Sequence, residues 1–161
     1  MKNKDTLYLT RASLIAALYV MLTIISNFAG LANGVIQLRL SEMLTILPVF
    51  TPAAIPGLAI GCCIANLVTG CALWDIVFGT LATTLGAVGT YYIGRKQPYA
   101  GPIAPIAANA LIVPKVLQIV YGAEGTYWYF MLTVGIGEIL SCGLLGIILY
   151  RVLRKTDVFI S

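Results

Sequence analysis

Histidine is absent from this 161-residue chain, and charged residues make up only 10% of it. The first absence removes the commonest metal ligand and the commonest general base. The second removes the solvated surface, because globular domains carry about 25% charged residues. A chain that is 60% hydrophobic with so little charge cannot cover itself in water. Soluble enzyme classes are excluded, and disorder, collagen and disulfide scaffolds fall to the same arithmetic. Lipid has to be the solvent for most of the chain.

Other absences narrow the chemistry. None of the four cysteines (Cys62, Cys63, Cys71 and Cys142) forms a CxxC pair. Adjacent Cys62 and Cys63 point about 100° apart on a helix, so they cannot share a metal. Cysteine is read here as a small apolar packing residue. No G-x-x-x-x-G-K-[ST] occurs, so the chain does not hydrolyse ATP through a P-loop. No nucleophile–base pair is visible. The expectation is no catalysis, no metal and no cofactor. The net charge of +4 is no sign of nucleic-acid binding, since Lys2, Lys4, Arg11, Arg95, Lys96, Arg151, Arg154 and Lys155 flank apolar runs, as juxtamembrane charges do.

What is present is a succession of apolar spans. Leu7 to Ile25 is long enough to cross a bilayer core of about 30 Å. Ser26 to Gln37, with Asn27, Gly30, Asn33 and Gly34, reads as a polar connection. Met43 to Trp74 carries no charge, but as one helix it would run to about 48 Å. Pro48, Pro52 and Pro56 break it. The expectation is a short second helix over Gln37–Phe50, a turn, and a third helix over Ala54–Gly70. A short span is acceptable only where protein or a water-filled cavity covers it. Three more follow: Leu73–Gly94, Gly101–Tyr121 bent at Pro114, and Tyr127–Arg151. The chain thus reads as a single integral membrane domain over residues 1–161, an all-α bundle of six transmembrane helices with both termini cytoplasmic. The positive-inside rule agrees, placing eight of the ten basic residues on the cytoplasmic side.

Five charges fall within the spans: Arg39, Glu42, Asp75, Lys115 and Glu138. Each costs about 2.5–3.5 kcal/mol at the bilayer centre, so something must offset them. All lie in the outer half or near mid-depth, as do Asn66, Asn109 and Gln118. Glu138 sits about 16 Å below Tyr127 at 1.5 Å per residue. This asymmetry describes a polar cup over an apolar floor, whereas a channel would be polar along its length. Arg39 and Glu42, three apart on a helix, either neutralise each other or face a ligand. Asn66 and Asn109 either bond between helices or line the cup. The five charges sum to −1, which suits a small cationic solute. Trp74, Tyr121, Tyr127, Trp128, Tyr129 and Phe130 gather at the outer level as an interface belt, from which a ring such as Trp128 could stack on a flat ligand.

Small residues recur at four-residue spacing: Ala12 and Ala16, Gly57 and Gly61, then Gly79, Thr83 and Ala87. Such rows allow close helix approach. The last two read as internal packing, while Ala12 and Ala16 read as a contact for a neighbouring protein. Lacking a nucleotide motif and a visible inverted repeat, the chain reads as a capture module that needs a partner.

The segments Gln37-Leu-Arg-Leu-Ser-Glu42 and Asp75-Ile-Val-Phe-Gly-Thr80, the Pro48–Gly61 turn and Asn66 resemble the QueT family. These proteins are substrate-binding S components of energy-coupling-factor (ECF) transporters. The resemblance implies a six-helix S-component bundle in the bacterial plasma membrane, with an outward-facing site capped by the loop after the first helix. It implies uptake of a queuosine precursor, 7-aminomethyl-7-deazaguanine. It further implies that the Ala12–Ala16 row meets a transmembrane coupling subunit driven by two ATPases, although Val20 stands where a third small residue is often found. For such a ligand, a guanine-like edge would donate to Glu42 or Glu138. Another acid, with Asp75 a candidate, would face the ammonium. Arg39, Lys115, Asn66, Asn109 or Gln118 would donate to the ring carbonyl. The alternatives are a stand-alone small-solute carrier, an S component for another vitamin, or a ligand-free membrane scaffold.

Overall fold

The computed structural model describes residues 2–31, 36–122 and 124–156, and these form helices with no strand among them. Asn33 and Gly34 of the first connection lie outside the described residues. Helix α1 (Lys2–Phe28) is longer than its apolar run, because the polar N-terminal turns stay helical and Asp5 complements the positive end of the helix dipole. α2 is Ala54–Val68, α3 Leu73–Gly94 and α4 Ile103–Val120. α5 (Tyr127–Glu138) continues through a π-helical segment, Ile139–Leu145, into α6 (Gly146–Arg154).

The second apolar helix, Leu40–Val49, is a 3-10 helix, and residues 37–39 before it are not helical. This corrects the expected Gln37–Phe50 helix. Pro48 has no backbone N–H, and the Thr45 hydroxyl takes the Glu42 carbonyl at 2.6 Å, both of which disfavour a regular α pattern. Ten residues at 2.0 Å per residue reach only about 20 Å, short of a bilayer core. Seven of them are buried. The segment packs against α1, α2, α3, α6 and the π segment, and so sits at the centre of the bundle.

Four helical stretches are long and apolar enough to cross a membrane among the described residues: Asn3–Phe28, Leu73–Gly94, Pro98–Val120 and Tyr127–Arg154. Leu40–Val49 and Ala54–Val68 are apolar but shorter. Leu9, Leu14, Leu73, Ile103, Ile119 and Trp128 are all more than half exposed, a surface that water would not tolerate and lipid would.

Packing explains the small residues. A Cβ on Gly57 would stand 2.7 Å from the Ala12 carbonyl, and one on Gly61 would stand 3.0 Å from Ala16 Cα. Ala12 and Ala16 are therefore buried in the α1–α2 seam. This corrects their placement as an outward contact row, because glycine lets α2 approach that face of α1. Outward of the seam, α1 exposes Ser13, Leu14, Ala17 and Met21.

The two ends of the bundle differ. At one end Arg151 stands 5.8 Å from the Tyr99 ring, near Tyr150 and Phe50, which puts the basic termini of α3 and α6 together. At the other end α1 and α2 stop in the same way. Gly30 (φ +71°) and Gly70 (φ +75°) adopt the left-handed conformation. The next amides, of Leu31 and Cys71, bond back to Ser26 and Asn66 at 3.0 Å. These are Schellman terminations, and they need glycine.

Candidate functional site

A cavity of about 750 Å³ opens at the end where α1 and α2 terminate. Its walls are the ends of those two helices (Thr23, Ser26, Asn27; Asn66 and the capping Thr69), Gln37 and Arg39, Asp75 at the head of α3, Val113 and Leu117 of α4, and Tyr121 just after α4. Each polar group is placed by its own local chemistry. The Tyr121 hydroxyl donates to Asp75 Oδ2 at 3.0 Å and accepts the Ala72 amide at 3.1 Å, clamping α4 to the head of α3. Asn66 is buried, and its Nδ2 faces the missing side chain of Gly79, where a Cβ would stand 3.1 Å away.

Around Glu42 lies a second, fully buried polar tier. Tyr19 donates to Glu42 Oε1. The Cys142 thiol lies 3.1 Å from Glu138 Oε2 and 3.4 Å from the Glu42 carbonyl, one proton facing two acceptors. Donor atoms of Glu42, Glu138 and Cys142 all fall within 4.8 Å of one another. Two oxygens and a sulfur at that spacing are a conceivable metal set, but here the thiol has the surroundings of a hydrogen-bond donor. Glu42 Oε2, Asn109 Nδ2 and Ser141 Oγ are buried without a hydrogen-bond partner among the described residues. Asn109 lies within electrostatic reach of both carboxylates but meets neither in hydrogen-bonding geometry. Buried polar atoms left this way cost about 1–3 kcal/mol each.

Arg39 joins the two tiers. It lines the cavity, and its charge is within range of Tyr19, Asp75 and Glu42. Its guanidinium makes no hydrogen bond or ion pair with any described residue, so the Arg39–Glu42 neutralising pair does not close, although the Arg39 carbonyl accepts the Glu42 amide at 3.1 Å. Its backbone is held from behind: Gly137 leaves room for the carbonyl of Gln37, which a side chain there would overlap.

The profile of the QueT transporter family matches residues 9–155. The chain belongs to that family. A queuosine precursor transporter, QueT, from Lactococcus lactis subsp. cremoris is 36% identical over 84 residues, which is 52% of this chain and 48% of that protein. The alignment thus spans about half the length of the relative. No solved structure matches the chain.

In this member of the QueT transporter family the expected site residues separate into two groups. Arg39, Asn66 and Asp75 line the cavity, and Glu42, Glu138 and Asn109 form the buried tier. Lys115, Gln118 and Trp128 are elsewhere, which corrects their expected place. Lys115 Nζ lies 4.8 Å over the Tyr127 ring on the far side of α4. Gln118 Nε2 donates to the Gly125 carbonyl at 2.9 Å and braces the α4–α5 turn. Trp128 is 67% exposed. Depth along α4 was readable, but its azimuth puts Val113 and Leu117 on the cavity instead. Tyr19 and the Cys142 contact were missed. The available signal was a tyrosine deep in an apolar span, whose hydroxyl needs a partner.

Proposed function

We propose that this chain is the substrate-capture subunit of an energy-coupling-factor importer for 7-aminomethyl-7-deazaguanine or a related deazapurine. On this reading it is a single integral domain of the bacterial plasma membrane. The chain crosses six times, the two short helices completing the count, with the basic end and both termini cytoplasmic and the cavity outward. The observation that carries it is the pairing of Glu42 and Glu138 with an unused acceptor, Glu42 Oε2, and an unused donor, Asn109 Nδ2. A guanine-like edge offers adjacent N–H donors and a carbonyl, the complement of that set. Arg39 offsets part of the paired negative charge, and Asp75 faces the ligand's ammonium from the rim. A cavity of this size suits a heterocycle. The name of the Lactococcus relative supports the ligand class.

The chain has no nucleotide-binding loop of its own, so energy comes from two ATPases through a transmembrane coupling subunit. With Ala12 and Ala16 occupied by α2, that partner meets α1 through its outward residues Ser13, Leu14 and Ala17. The test is equilibrium binding to the purified chain. It should bind 7-aminomethyl-7-deazaguanine and ignore adenine, which lacks the donor–donor–carbonyl edge. Equal affinity for the two overturns the assignment.

A further inference from the structure

On the opposite face of α4 from the cavity runs a second, almost wholly apolar groove of about 510 Å³. Trp74, Phe78 and Leu81 of α3 form one wall, and Leu111, Lys115 and Ile119 of α4 the other. These side chains are open to the surroundings: Trp74 is 58% exposed, Leu111 56% and Ile119 79%. Lys115 is the only charge among the described lining residues. It lies five residues before the end of α4, about 7.5 Å below that end at 1.5 Å per residue. A lysine stem can raise its ammonium from there to the interface. The Trp74 and Tyr127 rings stand at the same helix ends, where aromatic residues mark the headgroup level.

The ammonium is held but not neutralised. It sits over the Tyr127 ring, whose hydroxyl is tied to the Leu111 carbonyl at 3.0 Å, and it makes no ion pair with a described residue. An oily slot of acyl-chain character therefore ends beside one positioned, unneutralised cation. We infer that this groove is a binding site for an anionic phospholipid, with an acyl chain along Phe78, Leu81 and Leu111 and the phosphate against Lys115. A zwitterionic lipid would fill the slot equally well but would bring its own cation to the same place. Headgroup selectivity is the distinguishing property, and it is independent of the ligand cavity on the other face of α4.

The full chain, purified in detergent and stripped of lipid, would be titrated with phosphatidylglycerol or phosphatidylcholine of identical acyl chains. Adducts would be counted by native mass spectrometry. Phosphatidylglycerol should be retained about fivefold more than phosphatidylcholine, as one interfacial lysine allows. Lys115→Gln should bring the ratio close to one, and Lys115→Arg should preserve it. Leu81→Trp, which fills the slot, should lower retention of both lipids. Equal retention by the unaltered chain, or a preference that survives Lys115→Gln, overturns the inference.

Discussion

The phenolic hydroxyl of Tyr19 on α1 donates to Oε1 of Glu42 on the central 3-10 helix. That one bond ties α1, a helix of 27 residues, to the more deeply buried of the two paired carboxylates. Tyr19→Phe should leave Glu42 without its donor and lower stability by about 1–3 kcal/mol. Thermal unfolding in detergent would register this as a lower apparent Tm. The loss should shrink in a Glu42→Gln background, and strictly additive effects would show that the two groups are not coupled.

Glu138→Gln keeps the side chain's shape and removes its charge. Affinity for 7-aminomethyl-7-deazaguanine should fall about tenfold, the weight of a charge-assisted hydrogen bond, with the helical content by circular dichroism unchanged. Unaltered affinity would make Glu138 a structural partner of Cys142 and nothing more.

Gly137→Ala would drive a methyl group into the Gln37 carbonyl. Displacing that segment moves Arg39, so ligand affinity should drop although no lining side chain has been touched. Gly61→Ala, whose Cβ would stand 2.9 Å from Tyr19 Cβ, should instead destabilise the α1–α2 seam by about 1–3 kcal/mol. A chain that accepts both changes without loss would contradict the packing.

Gln118 and Trp128 lie outside the cavity lining. Gln118→Ala and Trp128→Ala should each leave ligand affinity within about twofold of the original, the scatter expected of surface changes. A large loss in isothermal titration would extend the site up to the α4–α5 turn.

Ala17 faces outward on α1, one residue away from the seam. Ala17→Trp should leave ligand binding intact and abolish ATP-dependent uptake in liposomes carrying the coupling subunit and ATPases. Normal uptake by this variant would move the coupling surface off α1.

The span boundaries were legible because apolar runs end at residues that stop helices. Leu73–Gly94 ends at Arg95-Lys96-Gln97-Pro98, and Tyr127 follows Thr126, whose hydroxyl caps α5 by accepting the Tyr129 amide. The meeting of Glu138 and Asn109 was legible from depth, since both were expected near mid-depth; Glu42, expected in the outer turns of its helix, joins them because its segment is a buried 3-10 helix. Rotation about each helix was not legible. Lys115 and Val113 are two residues apart on α4 and face opposite ways, and both faces are apolar enough to be inner. The Ala12–Ala16 row carries no mark of which neighbour it meets. Across Leu40–Val49 the local causes of the 3-10 pattern, Pro48 and the Thr45–Glu42 bond, are single residues within an apolar run that otherwise reads as an α-helix, and the segment is enclosed by five surrounding elements.

The Leu40–Val49 segment bears Glu42, touches neighbours on nearly every side and is too short to stand alone across a bilayer. A newly made segment of that kind has no stable resting place in lipid until its companions arrive. Biogenesis of this chain is thus an assembly step rather than a string of independent insertions. Its central carboxylate enters the membrane as cargo of the helices that wrap it.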